Sequence, residues 1–243
     1  MSPEEYFNLE RVEKSHWYYH GKREIVRFWI QKYQKIDVNT KLLDCGAGSG
    51  AFAAEMSEKV QVTAMDDHLE SLEILRRRLP ADSIVEGGCG KIPFASDVFE
   101  VVTALDVLEH IADDKQAASE LVRVLKPHGV FVITVPAMMC LWSDWDVSLH
   151  HYRRYDKKSL INIFKGLLIT VEHCAYINVA AMPLVWVARK ARLLGLSSGI
   201  RAEDRVPPTA LNTLLRLAFV RLAQTRLQFP FGVGLLLVGR KAE

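Results

Sequence analysis

Apolar and polar positions along the chain follow two periods. Short apolar runs at 41–45, 61–65, 83–86, 101–105 and 129–135 predict strands, and residues spaced three and four apart at 51–58, 69–79 and 113–125 predict helices. Strands separated by helices of this length imply parallel βαβ units in a doubly wound sheet. Residues 3–35 predict a helical stretch ahead of the first strand. The last third breaks the rhythm. Runs at 167–176 and 233–240 predict two more strands, and between them lie helical patterns at 184–196 and 209–224 around a polar link ending in Pro207-Pro208. In the second pattern Leu211, Leu214, Leu215, Ala218 and Leu222 recur at helical spacing, which predicts that this face is buried.

The expected organisation is a single domain. A helical cap (1–38) precedes a core (39–176 and 229–243), and a basic helical insertion or lid (177–228) lies between the last two strands. With 243 residues, 49% hydrophobic and 25% charged, the chain is long enough for one sizeable core. No apolar run reaches the roughly 20 residues that span a bilayer. The opening MSPEEYFNLERVEKSHW is too acidic and polar for a signal peptide. Cys45, Cys89, Cys140 and Cys174 form no C-x-x-C pair, which predicts neither a disulfide framework nor a metal site, and favours the cytoplasm.

The net charge of +2 hides an uneven distribution. Segment 184–226 holds eight basic residues (Arg189, Lys190, Arg192, Arg201, Arg205, Arg216, Arg221 and Arg226) against Glu203 and Asp204. The same insertion carries Trp186, Leu193, Leu194, Phe219 and Val220. A solvated basic face and peripheral contact with a membrane or an anionic lipid-linked substrate are both open readings. Nucleic acid is not an expected partner, because the overall charge is nearly balanced and no nucleic-acid motif accompanies the patch. The oligomeric state is not legible.

Asp44-Cys45-Gly46-Ala47-Gly48-Ser49-Gly50 follows the first strand and opens a helix. Glycines there permit positive φ and close ligand approach, and the helix N-terminus offers unpaired N–H groups. Asp66, followed by Asp67, ends the second strand, where a carboxylate accepts from ribose hydroxyls. Taken alone, Gly46, Gly48 and Ala51 also satisfy the relaxed dinucleotide pattern, so nicotinamide or flavin binding stays open at this point.

Further stretches continue in order: Lys91-Ile92-Pro93-Phe94, Phe99-Glu100-Val101-Val102, Ala104-Leu105-Asp106-Val107-Leu108-Glu109-His110, Arg123-Val124-Leu125-Lys126-Pro127-His128-Gly129 and Val135-Pro136. Together with the glycine loop and Val62-Thr63-Ala64-Met65-Asp66, they make 41–137 resemble the class I S-adenosylmethionine-dependent methyltransferase family. The resemblance implies an α/β, Rossmann-like, mostly parallel seven-stranded sheet with an antiparallel last strand, and S-adenosylmethionine as cofactor. It implies that Asp44, Gly46, Gly48 and Gly50 lie against the methionine part, that Asp66 holds the ribose with Asp67 beside it, and that Gly88 and Cys89 lie along the adenine. The family usually has an acid where Gly88 stands. Asp106 falls near the sulfonium, or caps the following helix. An Asn/Asp-Pro-Pro-aromatic motif is replaced by Leu105-Asp106-Val107-Leu108, which argues against transfer to a base amine or side-chain amide.

The flanks supply the remaining candidates. In His16-Trp17-Tyr18-Tyr19-His20-Gly21-Lys22-Arg23, Arg23 is assigned to the cofactor carboxylate and Tyr19 to packing on it. The segment from Leu141 to Tyr155 follows the fifth strand, at the sheet edge where such folds bind ligands. It offers Trp142, Arg154 and Tyr155 to the acceptor and His151 as a base, with His110 a second candidate base. It also resembles a segment of uncharacterised bacterial methyltransferases associated with surface polysaccharide and lipid assembly. The expected reaction is methyl transfer to a small-molecule, glycan or lipid-linked acceptor, at oxygen. A nicotinamide oxidoreductase, for which no Tyr-x-x-x-Lys pair is present, and a non-catalytic binder of the cofactor are the alternatives.

Overall fold

A computed structural model describes residues 10–193 and 206–243. In chain order these form α1 (Trp17–Tyr33), β1 (Lys41–Cys45), α2 (Ala51–Ser57), β2 (Gln61–Asp66), α3 (Leu69–Arg78) and β3 (Ile84–Glu86). Then come β4 (Phe99–Leu105), α4 (Asp114–Val124), β5 (Leu125–Pro136), α5 (Asp144–Ser148) and α6 (Lys157–Asn162). The chain closes with β6 (Ile169–Ile177), α7 (Met182–Leu193), α8 (Thr209–Gln224) and β7 (Gly234–Lys241). The start of the expected N-terminal helix, the end of the first insertion helix with Leu194, and the link with Arg201, Glu203, Asp204 and Arg205 lie outside the described residues.

The sheet has seven strands in the order β3-β2-β1-β4-β5-β7-β6. β7 runs antiparallel to both of its neighbours, and the other pairings are parallel. This is the Rossmann-like arrangement expected from the sequence. Because β1 to β5 run in one direction, their carboxyl ends share one edge, and the loops leaving that edge build the site.

Successive strand residues point to opposite faces, so each strand feeds two apolar layers. Leu43 and Val102 pack toward α4 and α6 with Leu121, Val124 and Leu160. Leu42 and Val101 pack toward α1, α2 and α3 with Ile25, Trp29, Met56 and Leu75. The α1 side also receives α8, and here the expectation needs correction. Leu211 and Leu214 are exposed, and the buried residues are Phe219, Val220 and Ala223. The helix is rotated because Phe219 stacks on Tyr18 and meets Trp17 edge-on, and a buried aromatic contributes more than a leucine at the rim.

Two short helices were not anticipated. In α5 and α6 a capping box closes the first turn, Ser143 with Asp146 and Asp156 with Ser159. Helices of five and six residues are too short to show periodicity. Among the described residues, no helix is long and apolar enough to cross a membrane.

Candidate active site

The loops at the carboxyl edge, together with α1 and α7, enclose a cavity of about 1120 Å³. One end is made of backbone. Gly46 and Ala47 donate to the Met65 carbonyl at 2.8 and 3.0 Å, which ties the glycine loop to the end of β2. Gly46, Gly48 and Gly50 all take positive φ, at 71°, 56° and 73°. A side chain at Gly46 would strike Val107, whereas one at Gly48 would meet nothing within 4 Å and would project into open space. The Asp66 carboxylate is buried and accepts from Gly48 N at 2.8 Å and from His68 N at 3.0 Å. It therefore braces the loop as well as facing the cavity.

Asp44, also on the wall, accepts from Thr103 Oγ1 at 2.7 Å. Burial pushes its carboxyl up to about 7, against the Thr103 hydrogen bond and with help from Asp66. Asp67, Gly88 and Cys89 line the same end. A Cβ on Gly88 would stand 2.8 Å from Asp67 Oδ2, so the Asp67 carboxylate crowds the place where a side chain at position 88 would begin.

The expectation of no disulfide is overturned. Cys45, at the end of β1, is bonded to Cys89 in the loop after β3, and Cys140 and Cys174 are free. The pair are 44 residues apart in sequence, and the shared carboxyl edge brings them together. Spacing in the chain carries no sign of it.

From α1 come Tyr18, Tyr19, Lys22 and Arg23. Lys22 forms a close ion pair with Asp106, whose other oxygen accepts from Thr134 Oγ1 at 2.9 Å. Burial opposes the charge on both, yet their attraction lifts the Lys22 ammonium and lowers the Asp106 carboxyl from their ordinary values. Asp106 sits at a φ of 57° and is not a helix cap, because Asp113 caps α4. Arg23 reaches the cavity already bonded to Glu55 at 2.7 Å and to the Glu13 carbonyl at 3.2 Å. Tyr18 and Tyr19 rings lie 5.2 and 5.9 Å from the Lys22 ammonium.

The opposite end is built from side chains. Asp146 of α5 is fully buried and receives His151 Nδ1 at 3.0 Å, Arg154 Nε at 2.7 Å and Arg189 Nη1 at 3.2 Å. Although burial opposes its charge, His151 and the two guanidiniums pull its carboxyl down to about 2. The His151 ring meets His110 edge-on at 4.6 Å. Burial, with His151 beside it, lowers His110 to about 4, so it stays neutral near pH 7. Glu109, next to it, is raised well above the ordinary carboxyl value by burial and then by Asp106. Its Oε2 is buried with no hydrogen-bond partner.

Among the residues offered to the acceptor, Arg154 lines the cavity, but Trp142 and Tyr155 do not. Tyr155 is buried and donates to Asp114 Oδ2 at 2.8 Å, bracing the loop from below, and Trp145 occupies the wall instead of Trp142. Lys22, Glu109, Asp146 and Arg189 were missed as site residues. Glu109 adjoins His110 and could have been found from it. Asp146 and Arg189 are 43 residues apart, and no local pattern links them.

Comparison with known proteins finds similarity to methyltransferases. Residues 43–133 match the family described as Methyltransferase domain. A Mycolicibacterium smegmatis protein named as an S-adenosylmethionine-dependent methyltransferase is 26% identical over 165 residues, 66% of this chain and 62% of that protein. A Paenarthrobacter aurescens demethylmenaquinone methyltransferase is 32% identical over 99 residues, 40% of this chain and 39% of that one. The matched regions thus span less than two thirds of these relatives' lengths. In fold, the chain is similar to a Haloferax volcanii methyltransferase solved with the Trm112 methyltransferase activator (TM-score 0.63, 18% identity, covering 98% of this chain and 95% of that one). The domain match and these relatives are similarities to methyltransferases over part of the chain, and the solved structure shares the fold.

Proposed function

We propose that this protein transfers a methyl group from S-adenosylmethionine to a hydroxyl oxygen of a small-molecule, glycan or lipid-linked acceptor. The observation that carries this reading is one cavity with two different ends. The glycine loop and Asp66 stand at one end, and the Asp146–His151 pair at the other.

At the first end the residues fit the cofactor. The open space beside Gly48 leaves room for a ligand against the backbone. Each Asp66 oxygen already takes one backbone N–H and keeps lone-pair capacity for a ribose hydroxyl. Tyr18 and Tyr19 offer aromatic faces to a cation. A cofactor carboxylate would share Arg23 with Glu55. Asp67, Gly88 and Cys89 would face the adenine. The chemistry the cofactor supplies when bound is a methyl group already activated on a sulfonium.

The chain's own task is therefore alignment and exclusion of water, with alignment lowering such a barrier by about 7–11 kcal/mol. Asp146 fixes the His151 ring through Nδ1, which leaves Nε2 to take the acceptor's proton. A positioned base adds roughly 10²–10⁴-fold.

The insertion serves as a lid in this reading. Leu184, Val185, Ala188 and Arg189 of α7, with Pro207, line the cavity. Its outer face is consistent with peripheral membrane contact and a lipid-linked acceptor. Val187 and Leu214 are exposed, and Lys190 stands over Trp186. The basic charge is smaller than the sequence implies, since Arg189 pairs with Asp146 and Arg216 with Glu24.

Radiolabelled methyl transfer to a bacterial cell extract, fractionated into lipid, glycan and protein, tests the reading. Label is expected in the lipid or glycan fraction, or in small molecules, with His151→Ala slowing transfer about 10²-fold or more. Label confined to protein would overturn the acceptor class. Equal recovery with neutral and anionic vesicles would remove the membrane contact.

A further inference from the structure

The turn after β4 and the loop after α5 converge on the acceptor end of the cavity. Glu109 and His110 come from the first, His151 from the second, and Tyr152 N donates to the Glu109 carbonyl at 2.8 Å, locking the two together. One ligand-capable atom from each of Glu109, His110 and His151 lies within 4.8 Å of the others. All three line the cavity. We propose that these three residues bind a divalent cation of the zinc class, which takes the acceptor oxygen as a further ligand.

Three features of the site support this. First, Glu109 is 1% exposed and its Oε2 has no hydrogen-bond partner, an arrangement that costs free energy unless something satisfies the oxygen. A cation at this point does so. Second, the His151 Nδ1 contact with Asp146 directs Nε2 away from that carboxylate, and Asp146 is itself held by Arg154, Arg189 and the Ser143 N–H. A carboxylate behind a histidine is how metal-ligating rings are oriented and made more basic. Third, two imidazoles and one carboxylate suit zinc and its neighbours, and three protein ligands leave positions open for a substrate oxygen. The nearby cations are already matched, Lys22 by Asp106 and the two arginines by Asp146.

The task of the cation rests on the methyl-transfer reading, although its binding does not. A hydroxyl on the cation gives up its proton more readily. The proton is released to bulk solvent as the acceptor enters, before water is excluded. The oxygen lone pair then forms the new O–CH3 bond as the S–CH3 bond breaks and S-adenosylhomocysteine is left. In that state His151 acts as a ligand and no free histidine base is required.

The second cluster of potential ligands, Asp66, Asp67 and His68, serves as the control. Two of its members are exposed, and Asp66 is engaged by backbone N–H groups.

The test is calorimetric titration of chelator-treated protein with Zn²⁺, repeated with Co²⁺ to read the ligand field by absorbance. One Zn²⁺ per chain is expected. Glu109→Gln, His110→Ala and His151→Ala should each weaken binding at least tenfold and alter the Co²⁺ spectrum, whereas His68→Ala should leave both unchanged. S-adenosylhomocysteine titration and a thermal melt of each variant report that the fold and the cofactor end are intact. No uptake by the unaltered protein, unchanged uptake in the three variants, or loss of uptake in His68→Ala would overturn the proposal. Zn²⁺ binding without S-adenosylhomocysteine binding would instead overturn the methyltransferase reading alone.

Discussion

The two ends of the cavity are made in opposite ways. The cofactor end is largely backbone: three glycines at positive φ, amide groups tied to Met65, and one carboxylate 18 residues from the Gly48 amide it receives. The acceptor end is side-chain chemistry, a buried carboxylate gathering one histidine and two arginines from three segments. Backbone sites need particular residues in an unbroken run, so they leave a readable sequence. Charge networks need only proximity in space and leave almost none.

The sharpest way to break this contrast is to remove Asp146. Asp146→Ala leaves Arg154 and Arg189 buried without their counter-charge and should cost about 3–5 kcal/mol of stability, read by urea denaturation. A loss below about 1 kcal/mol would mean that the network is not the organiser of this end.

Asp66→Ala tests the other end and should act on affinity more than on stability. Hydrogen bonds to a charged group are worth about 1.5–3 kcal/mol, so S-adenosylhomocysteine should bind roughly 10- to 100-fold more weakly. Unchanged affinity would remove the ribose assignment.

Asp44 gives a smaller, pH-dependent effect. Its folded value of about 7 lies above the ordinary carboxyl range, so between about pH 4 and 7 the folded chain keeps a proton the unfolded chain has released. Stability therefore falls as pH rises through that window and the penalty is constant above it. Asp44→Asn, which can still accept from Thr103, should be nearly indistinguishable near pH 4 and increasingly more stable than the unaltered protein as pH rises to 8. Denaturation curves across pH would show the gain. A gain that is the same at pH 4 and pH 8 would contradict the burial of this carboxyl.

Much of the fold was legible in the chain. The strand runs and the span of α8 follow from periodicity, and the antiparallel last strand from the family resemblance. The glycine loop with Asp66 is legible as an unbroken motif. What failed had no local signature. The buried face of α8 was set by Phe219 against Tyr18 and Trp17, not by the leucine spacing. The Cys45–Cys89 bond joins the end of β1 to the loop after β3, which only the shared sheet edge makes neighbours. Trp142 and Tyr155 were aromatic and in the right loop, but the short α5 helix turned Trp145 to the cavity and Tyr155 became a brace on Asp114.

The central claim is that the backbone end of the cavity holds a methionine-bearing nucleoside. Calorimetry with S-adenosylhomocysteine and with NAD, on the same protein preparation, addresses it directly. One S-adenosylhomocysteine per chain, bound roughly 10- to 100-fold more weakly in Asp66→Ala, with no heat from NAD, is the expected result. Saturable NAD binding with none for S-adenosylhomocysteine would contradict it.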